Sequence, residues 1–395
     1  MVSELMDLAR RRVSESSLRM RAPDRFSRKK KAPQVAVWNV NGQCNMTCPH
    51  CYASAGKKAA RDELTFQEGV VLLDQLKASG VRVVIFSGGE PLLREDLPEL
   101  IRHADVLGLM PQLSTNGALI DPARAAMLKD AGIRYVGISI DGPREFNDRH
   151  RGLEGGYDLA LAGIRNAREA GMKTGLRMTL MRENLPFLPQ MVEAALEIGA
   201  DRFYLSHLMY SGRGSGMTGQ DLNHQEARET LFHLFEMALR LSDRAAPLKI
   251  VTGSNDSDGP LLLLWLEQRL GAAAAASVRK LLSERGGNSA GEKIINIDFR
   301  GRVHPDQFWQ GANLGNVRET PLERILEHEL LAALQDREAR LVGRCAACQF
   351  LTLCRGSHRE RALAIHGDLW APDPSCVMED HEIAADKPAT MEYAL

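Results

Sequence analysis

The sequence predicts an α/β fold, a partial (β/α)6 barrel of parallel strands with a cysteine-rich C-terminal extension. Three observations carry this. Six short apolar or β-branched runs alternate with helix-like stretches between residues 34 and 207. Small and acidic residues follow the C-terminal ends of those runs, where parallel α/β folds place their chemistry. The cysteines fall in two tight groups, Cys44, Cys48 and Cys51 near the start and Cys345, Cys348, Cys354 and Cys376 near the end.

Taken in order, Gln34 to Val40 (QVAVWNV) reads as a buried strand that leads into the first cysteine loop. Thr65 to Ser79 has helical periodicity behind a capping threonine. Val81 to Phe86 is a β-branched strand that breaks at Gly88-Gly89. Leu97 to Leu107, Pro122 to Ala131, Tyr157 to Ala170 and Leu188 to Ile198 are helix-like, and Pro111 to Ser114, Tyr135 to Ile140, Gly175 to Leu180 and Arg202 to His207 are strand-like. Strand–helix alternation implies right-handed crossovers and a parallel sheet. Beyond Tyr210 the pattern changes. A Gly/Ser-rich loop, Ser211 to Gly219, precedes a helix at Gln225 to Leu241, turn chemistry at Gly253 to Gly259, one long helical stretch at Leu261 to Ser283, and a strand at Ile294 to Asp298. The expected division is a basic N-terminal arm (1–32), a core barrel (33–210), a linking helical and substrate region (211–320) and an auxiliary-cluster domain (321–395).

A net charge of −1 offers no global attraction for nucleic acid. The basic run Arg21 to Lys31 reads as a solvated arm. No window reaches the ~18 apolar residues of a membrane span, and the N-terminus lacks a signal-peptide apolar region. A cytoplasmic location is expected, and an odd number of cysteines, seven, argues against a disulfide framework.

Cys44, Cys48 and Cys51 form C-x3-C-x2-C within one loop. Three thiolates this close can ligate three irons of a 4Fe–4S cubane, which normally has four cysteines. The missing fourth leaves one iron open to chelate the amino and carboxylate groups of S-adenosylmethionine (SAM), whose sulfur–carbon bond is then cleaved by one electron to a 5′-deoxyadenosyl radical. The competing reading is structural zinc, with His50 as fourth ligand. Downstream, SGGEP (Ser87 to Pro91), STNG (Ser114 to Gly117) and SIDG (Ser139 to Gly142) end three successive strands. Each is explicable singly as a turn or cap; the ordered series is not.

On these motifs the chain from about Pro33 to Tyr210 resembles the radical SAM superfamily. The resemblance implies a SAM-binding cluster on Cys44, Cys48 and Cys51. It also implies that Gly88, Gly89 and Glu90 meet the methionine amino group. Asn116, Ser139 and Asp141 are implied for ribose or carboxylate contacts, with Arg177 as a further SAM contact. The C-x2-C-x5-C-x21-C group of Cys345, Cys348, Cys354 and Cys376 is similar to the auxiliary 4Fe–4S extension (SPASM or twitch type) of such enzymes, with zinc as the alternative. HPDQFW (His304 to Trp309), LGNVR, VTGSNDSDG and CRGSHRER together resemble the NirJ family of haem d1 biosynthesis.

That resemblance implies a tetrapyrrole substrate, 12,18-didecarboxysirohaem, modified at propionate side chains by oxidoreductase- or lyase-type chemistry. It also implies an electron donor such as flavodoxin or ferredoxin. A related enzyme of the haem pathway removes two acetate side chains from the same compound to give iron-coproporphyrin, and the motifs do not separate the two. Peptide maturation by a radical SAM/SPASM enzyme is a third reading. The chemistry of a carboxylated macrocycle nominates Arg359, Arg361 and Arg355 as carboxylate partners, Phe308 and Trp309 as stacking residues, and His304, His207 or His358 as iron ligand or proton carrier.

Overall fold

The computed structural model describes residues 2–10, 32–242 and 248–384. The chain divides into a larger unit, Lys30–Asp221 with Ser289–Gln335, and a smaller unit, Met1–Lys29 with Leu222–Asn288 and Asp336–Leu395.

The larger unit is built on β1 (Val35–Asn39), β2 (Val83–Ser87), β3 (Met110–Thr115), β4 (Tyr135–Ser139), β5 (Lys173–Leu180) and β6 (Arg202–His207). These pair in chain order, each parallel to the last. The smaller unit contains β7 (Lys249–Gly253). Back in the larger unit, β8 (Ile294–Ile297) runs parallel to β1, and β9 (Arg302–His304) and β10 (Gly315–Asn316) extend the sheet as an antiparallel flap. The expected 211–320 region is therefore not one unit. Without β8, strand β1 would leave an open edge of unpaired backbone groups, and β8 closes it.

Burial alternates along β3, β6 and the C-terminal half of β5, while β4 is buried up to Ser139. Leu113, Val136, Ile138, Leu176, Met178, Phe203 and Leu205 are fully buried under the crossover helices. Ser114, Ser139, Arg177, Thr179, Tyr204 and Ser206 occupy the other face and are half-buried. That period of two makes one face a helix-covered core and the other a polar, accessible lumen. Helix Phe66–Ala78 starts at a capping box between Thr65 and Glu68, worth about 1 kcal/mol. Its Gly69 admits the Trp38 indole, since a Cβ there would lie 2.7 Å from the ring.

Two further expectations change. The 1–32 arm is helical at Val2–Ala9, where Val2, Leu5, Met6 and Leu8 are buried; apolar residues at helical spacing bury one face. The basic run 21–31 lies outside the described residues. The long helix at 261–283 is two helices, Asp258–Leu270 and Ala272–Arg285, broken at Gly271 with φ +86°. Among the described residues no helix is long and apolar enough to cross a membrane.

Candidate functional site

The three N-terminal cysteines sit on the loop after β1, held by backbone bonds rather than by regular structure. The Cys44 N–H donates to the Gly56 carbonyl at 2.7 Å, and the Thr47 N–H to the Arg151 carbonyl at 2.9 Å. Arg213, from the Gly/Ser-rich segment Ser211 to Gly219, clamps the loop. Its side chain donates to the Cys48 carbonyl at 2.9 Å and the Ala55 carbonyl at 2.7 Å. Burial pushes the Cys48 thiol up to about 11, against the pull of the Arg151 guanidinium, and Cys51 and Cys44 push it the same way. Burial also raises Cys44, as do Glu90 and Cys51. Three thiols that feel one another's charge are a donor set that a cation would relieve, so the residues fit a thiolate-ligated cluster.

His50 does not complete a zinc site. Its Nδ1 lies 2.8 Å from His150 Nε2 and its Nε2 lies 3.4 Å from Asp141 Oδ2. Its ring stacks on His150 at 5.0 Å, and burial lowers its pKa to about 4. With both nitrogens engaged away from sulfur, the loop offers three ligands.

The glycine turn after β2 lies directly on this loop. The Gly89 N–H donates to the Asn41 carbonyl and the Glu90 N–H to the Gln43 carbonyl, at 3.0 and 2.7 Å. A Cβ on Gly89 would sit 2.0 Å from the Gln43 oxygen. Gly89→Ala is therefore expected to displace the cluster loop and reduce iron incorporation at the first site severely, read by iron analysis and EPR of the reduced protein; wild-type iron content would refute the close-contact role.

The carboxylate of Glu90 is fully buried and is bonded within the protein. It accepts from Thr115 Oγ1 at 2.7 Å, the Asn116 N–H at 2.9 Å and the Leu92 N–H at 3.1 Å. Its side chain thus ties the β2 turn to the β3 turn. This corrects the expectation of a carboxylate presented to an ammonium group; the backbone of the turn is what remains to meet one. Asn116 lies beside the cluster loop, its amide 2.7 Å from Asn45 Oδ1 and 3.9 Å from Cys44 Sγ.

Asp141 is also committed internally. It accepts from Arg151 at 2.6 Å and from the Thr179 N–H at 2.9 Å. Burial raises its pKa, but Arg151 and His50 outweigh burial and the net shift is downward. Arg151 in turn approaches Cys48 Sγ at 3.9 Å. Asp141 thus belongs to a buried ion pair that braces the cluster loop. Arg151, His150 and Arg213 were missed in the sequence because nothing local marks them. Ser139 and Arg177 stand side by side in register on the lumen face.

In the smaller unit, Cys345, Cys348, Cys354 and Cys376 raise one another's pKa, on top of the rise from burial, so the four thiols share one neighbourhood. The donor set fits a fully coordinated cluster. The 254–258 loop brackets the distant Cys376. Asn255 donates to the Ser375 carbonyl at 2.7 Å, and the Val377 N–H donates to Ser257 Oγ at 3.1 Å.

The nominated arginines serve this packing. Arg359 is buried and donates to the carbonyls of Leu369, Ala371 and Gly356. Arg361 is fully buried and pairs bidentately with Asp373 at 2.9 and 2.8 Å. Arg355 pairs with Glu338 at 3.0 Å. Their expected role toward substrate carboxylates is corrected: a buried guanidinium needs partners, and the fold supplies them internally. His358 is also buried, its pKa lowered to about 3 chiefly by burial. In the larger unit, His304 is buried with Nδ1 2.8 Å from the Ala312 carbonyl, and Trp309 is core. Both are enclosed by the protein. Phe308 is half-buried and packs edge-on against Tyr52, at 5.4 Å.

Comparison with known proteins agrees with this geometry. Residues 38–207 match the radical SAM superfamily and residues 289–349 match an iron–sulfur cluster-binding domain of SPASM type. The chain is 42% identical to an Fe-coproporphyrin III synthase of Methanosarcina barkeri, over 91% of this chain and 90% of that protein. It is 40% identical to a pre-heme d1 synthase of Dinoroseobacter shibae, over 90% and 89%. A PqqA peptide cyclase of Rhodopseudomonas palustris is 29% identical over 92% and 91%. Among solved structures, anSMEcpe with bound AdoMet superposes with a TM-score of 0.68 at 17% identity, covering 87% of this chain and 93% of that one, which supports the fold. A cluster loop with three thiols, its glycine turn and a second four-thiol group thus lie in a chain that belongs to the radical SAM superfamily, with a SPASM-type extension, two 4Fe–4S clusters and SAM as its cofactors.

Proposed function

We propose that this radical SAM enzyme modifies a tetrapyrrole of haem d1 or haem biosynthesis, with 12,18-didecarboxysirohaem as substrate. The observation that carries the reading is near-full-length similarity, at 42% and 40% identity, to two proteins named as porphyrin and haem d1 precursor synthases. Cys44, Cys48 and Cys51 would hold the SAM-binding cluster, and Cys345, Cys348, Cys354 and Cys376 the auxiliary one. When bound, the first cluster supplies the electron that splits SAM into methionine and a 5′-deoxyadenosyl radical able to abstract hydrogen. The chain's own part is placement. The Gly88-Gly89 backbone and Asn116 line the approach to the cluster loop, while Arg213 and the Asp141–Arg151 pair hold that loop rigid.

We favour modification at the propionates, on the way to haem d1. A second reading, loss of two acetate side chains to give iron-coproporphyrin, is favoured by the 42% identity to the Fe-coproporphyrin III synthase. Anaerobic incubation with didecarboxysirohaem, SAM and reductant, followed by mass spectrometry, separates them by the mass of the product. An unaltered substrate beside SAM cleavage would refute both. The same preparation is expected to hold about eight irons from two cubanes. Cys345→Ala with Cys348→Ala should lower iron to about four per chain and abolish product formation; an unchanged iron content would refute the auxiliary assignment.

A further inference from the structure

We propose that Arg177, lying flat across β4 over Gly137, is a carboxylate anchor in the barrel lumen and binds a side-chain carboxylate of the substrate. The proposal rests on the tetrapyrrole reading and names a residue that holds such a ligand.

The side chain of Arg177 does not project along its own strand. It crosses sideways over β4, and its Nη1 donates to Ser114 Oγ on β3 at 2.8 Å. This path needs Gly137, where a Cβ would lie 2.2 Å from Arg177 Nε. The neighbouring strand repeats the device. Tyr135 on β4 lies over Gly175 on β5, where a Cβ would lie 2.1 Å from the Tyr135 hydroxyl. Two glycines in mid-strand weaken a sheet. Here they let two large side chains lie flat across the neighbouring strand.

The chemistry of this floor is unbalanced. The guanidinium packs against the Tyr135 and Tyr204 rings, with its carbon 6.0 and 5.7 Å from their centroids. Among the described residues it has a hydroxyl as hydrogen-bond acceptor and no carboxylate, and its Nε is buried without a partner. Asp141, the carboxylate at the end of β4, is already paired with Arg151. The nominated arginines of the auxiliary region already have internal partners: Arg361 has Asp373, Arg355 has Glu338 and Arg359 has backbone carbonyls. Arg177 differs in having a fork of donors, a half-exposed position on the lumen face, and no internal anion. A planar guanidinium with unspent donors takes a carboxylate bidentately. The flanking tyrosine rings suit the apolar body to which that carboxylate is attached.

Two carboxylates could meet it, one on the macrocycle and one on the methionine part of SAM; we commit to the macrocycle. The test uses the anaerobic holoenzyme and two probes, iron-coproporphyrin III and its tetramethyl ester, titrated by visible absorption. SAM binding is measured in parallel by equilibrium dialysis. Wild type should bind the acid well above the ester. Arg177→Gln should weaken acid binding at least about 30-fold and abolish the preference over the ester. Arg177→Lys should recover part of it, and Gly137→Ala, which displaces the guanidinium, should resemble Arg177→Gln. Iron content and circular dichroism confirm that each variant is folded, and the Lys variant carries the test if the Gln variant is not. Wild-type acid binding by Arg177→Gln would overturn the anchor while leaving the tetrapyrrole reading in place. Weakened SAM binding with unchanged porphyrin binding would assign Arg177 to SAM instead. No binding of either probe by wild type would remove the tetrapyrrole reading and the anchor with it.

Discussion

Replacing Cys48 with Ala is expected to abolish reductive SAM cleavage, with 5′-deoxyadenosine falling to background. The loop supplies three sulfur ligands and no substitute, because His50 is engaged with His150 and Asp141. Two thiolates cannot hold a cubane that normally has four. The same variant should retain the auxiliary cluster, whose four cysteines lie in the smaller unit. The measurement is anaerobic turnover with dithionite and chromatographic detection of 5′-deoxyadenosine. Normal 5′-deoxyadenosine formation would sink the assignment.

Arg361→Ala should collapse the packing around the second cysteine group. Arg361 and Asp373 form a fully buried bidentate pair. Removing one member strands the other, which typically costs about 3–5 kcal/mol. Asp373 also accepts from the N–H groups of His358 and Ser375, next to Cys376, so the loss reaches the cluster ligands. A lower unfolding temperature and loss of auxiliary iron are expected, rather than a selective defect in substrate binding. The pH dependence has a definite sign. Burial raises the Asp373 carboxyl, but Arg361, with His358 and the Ser375 N–H, together outweigh it and the net shift is strongly downward. A depressed folded-state pKa gives stability that is fully present above the ordinary carboxylate value, about 3.9, and lost as the pH falls below it. In Arg361→Ala burial acts unopposed by that guanidinium, so acid unfolding should begin at higher pH. Wild-type stability with weakened porphyrin binding would instead restore Arg361 to the substrate site.

Much of the larger unit was legible because its signals are local. Strands β1 to β6 are short β-branched or aromatic runs bounded by turn residues, and the structure moves their ends by no more than a few residues. The β8 pairing with β1 was not legible, since nothing near Ile294 names a partner some 260 residues earlier in the chain. The helix Arg144–Arg151 was missed for a similar reason. It is rich in charge and Phe146 is its one apolar residue, so its buried face is built from Asn147, His150 and Arg151 and carries no apolar signal.

The sequence by itself determined the donor chemistry. Cysteine spacing is covalent, so three thiols in one loop and four in a second group are fixed before folding, as are the glycines of the β2 turn. Tertiary structure alone decided what each charge is for. Glu90, Asp141, Arg359 and Arg361 have the residue types of ligand-binding groups, yet folding gives each of them partners within the protein. Arg177 has the same chemistry and keeps unspent donors. The difference is physical. A buried charge must be compensated, and whether the compensating group comes from the chain or from a ligand depends on which distant residues the fold brings within 3 Å.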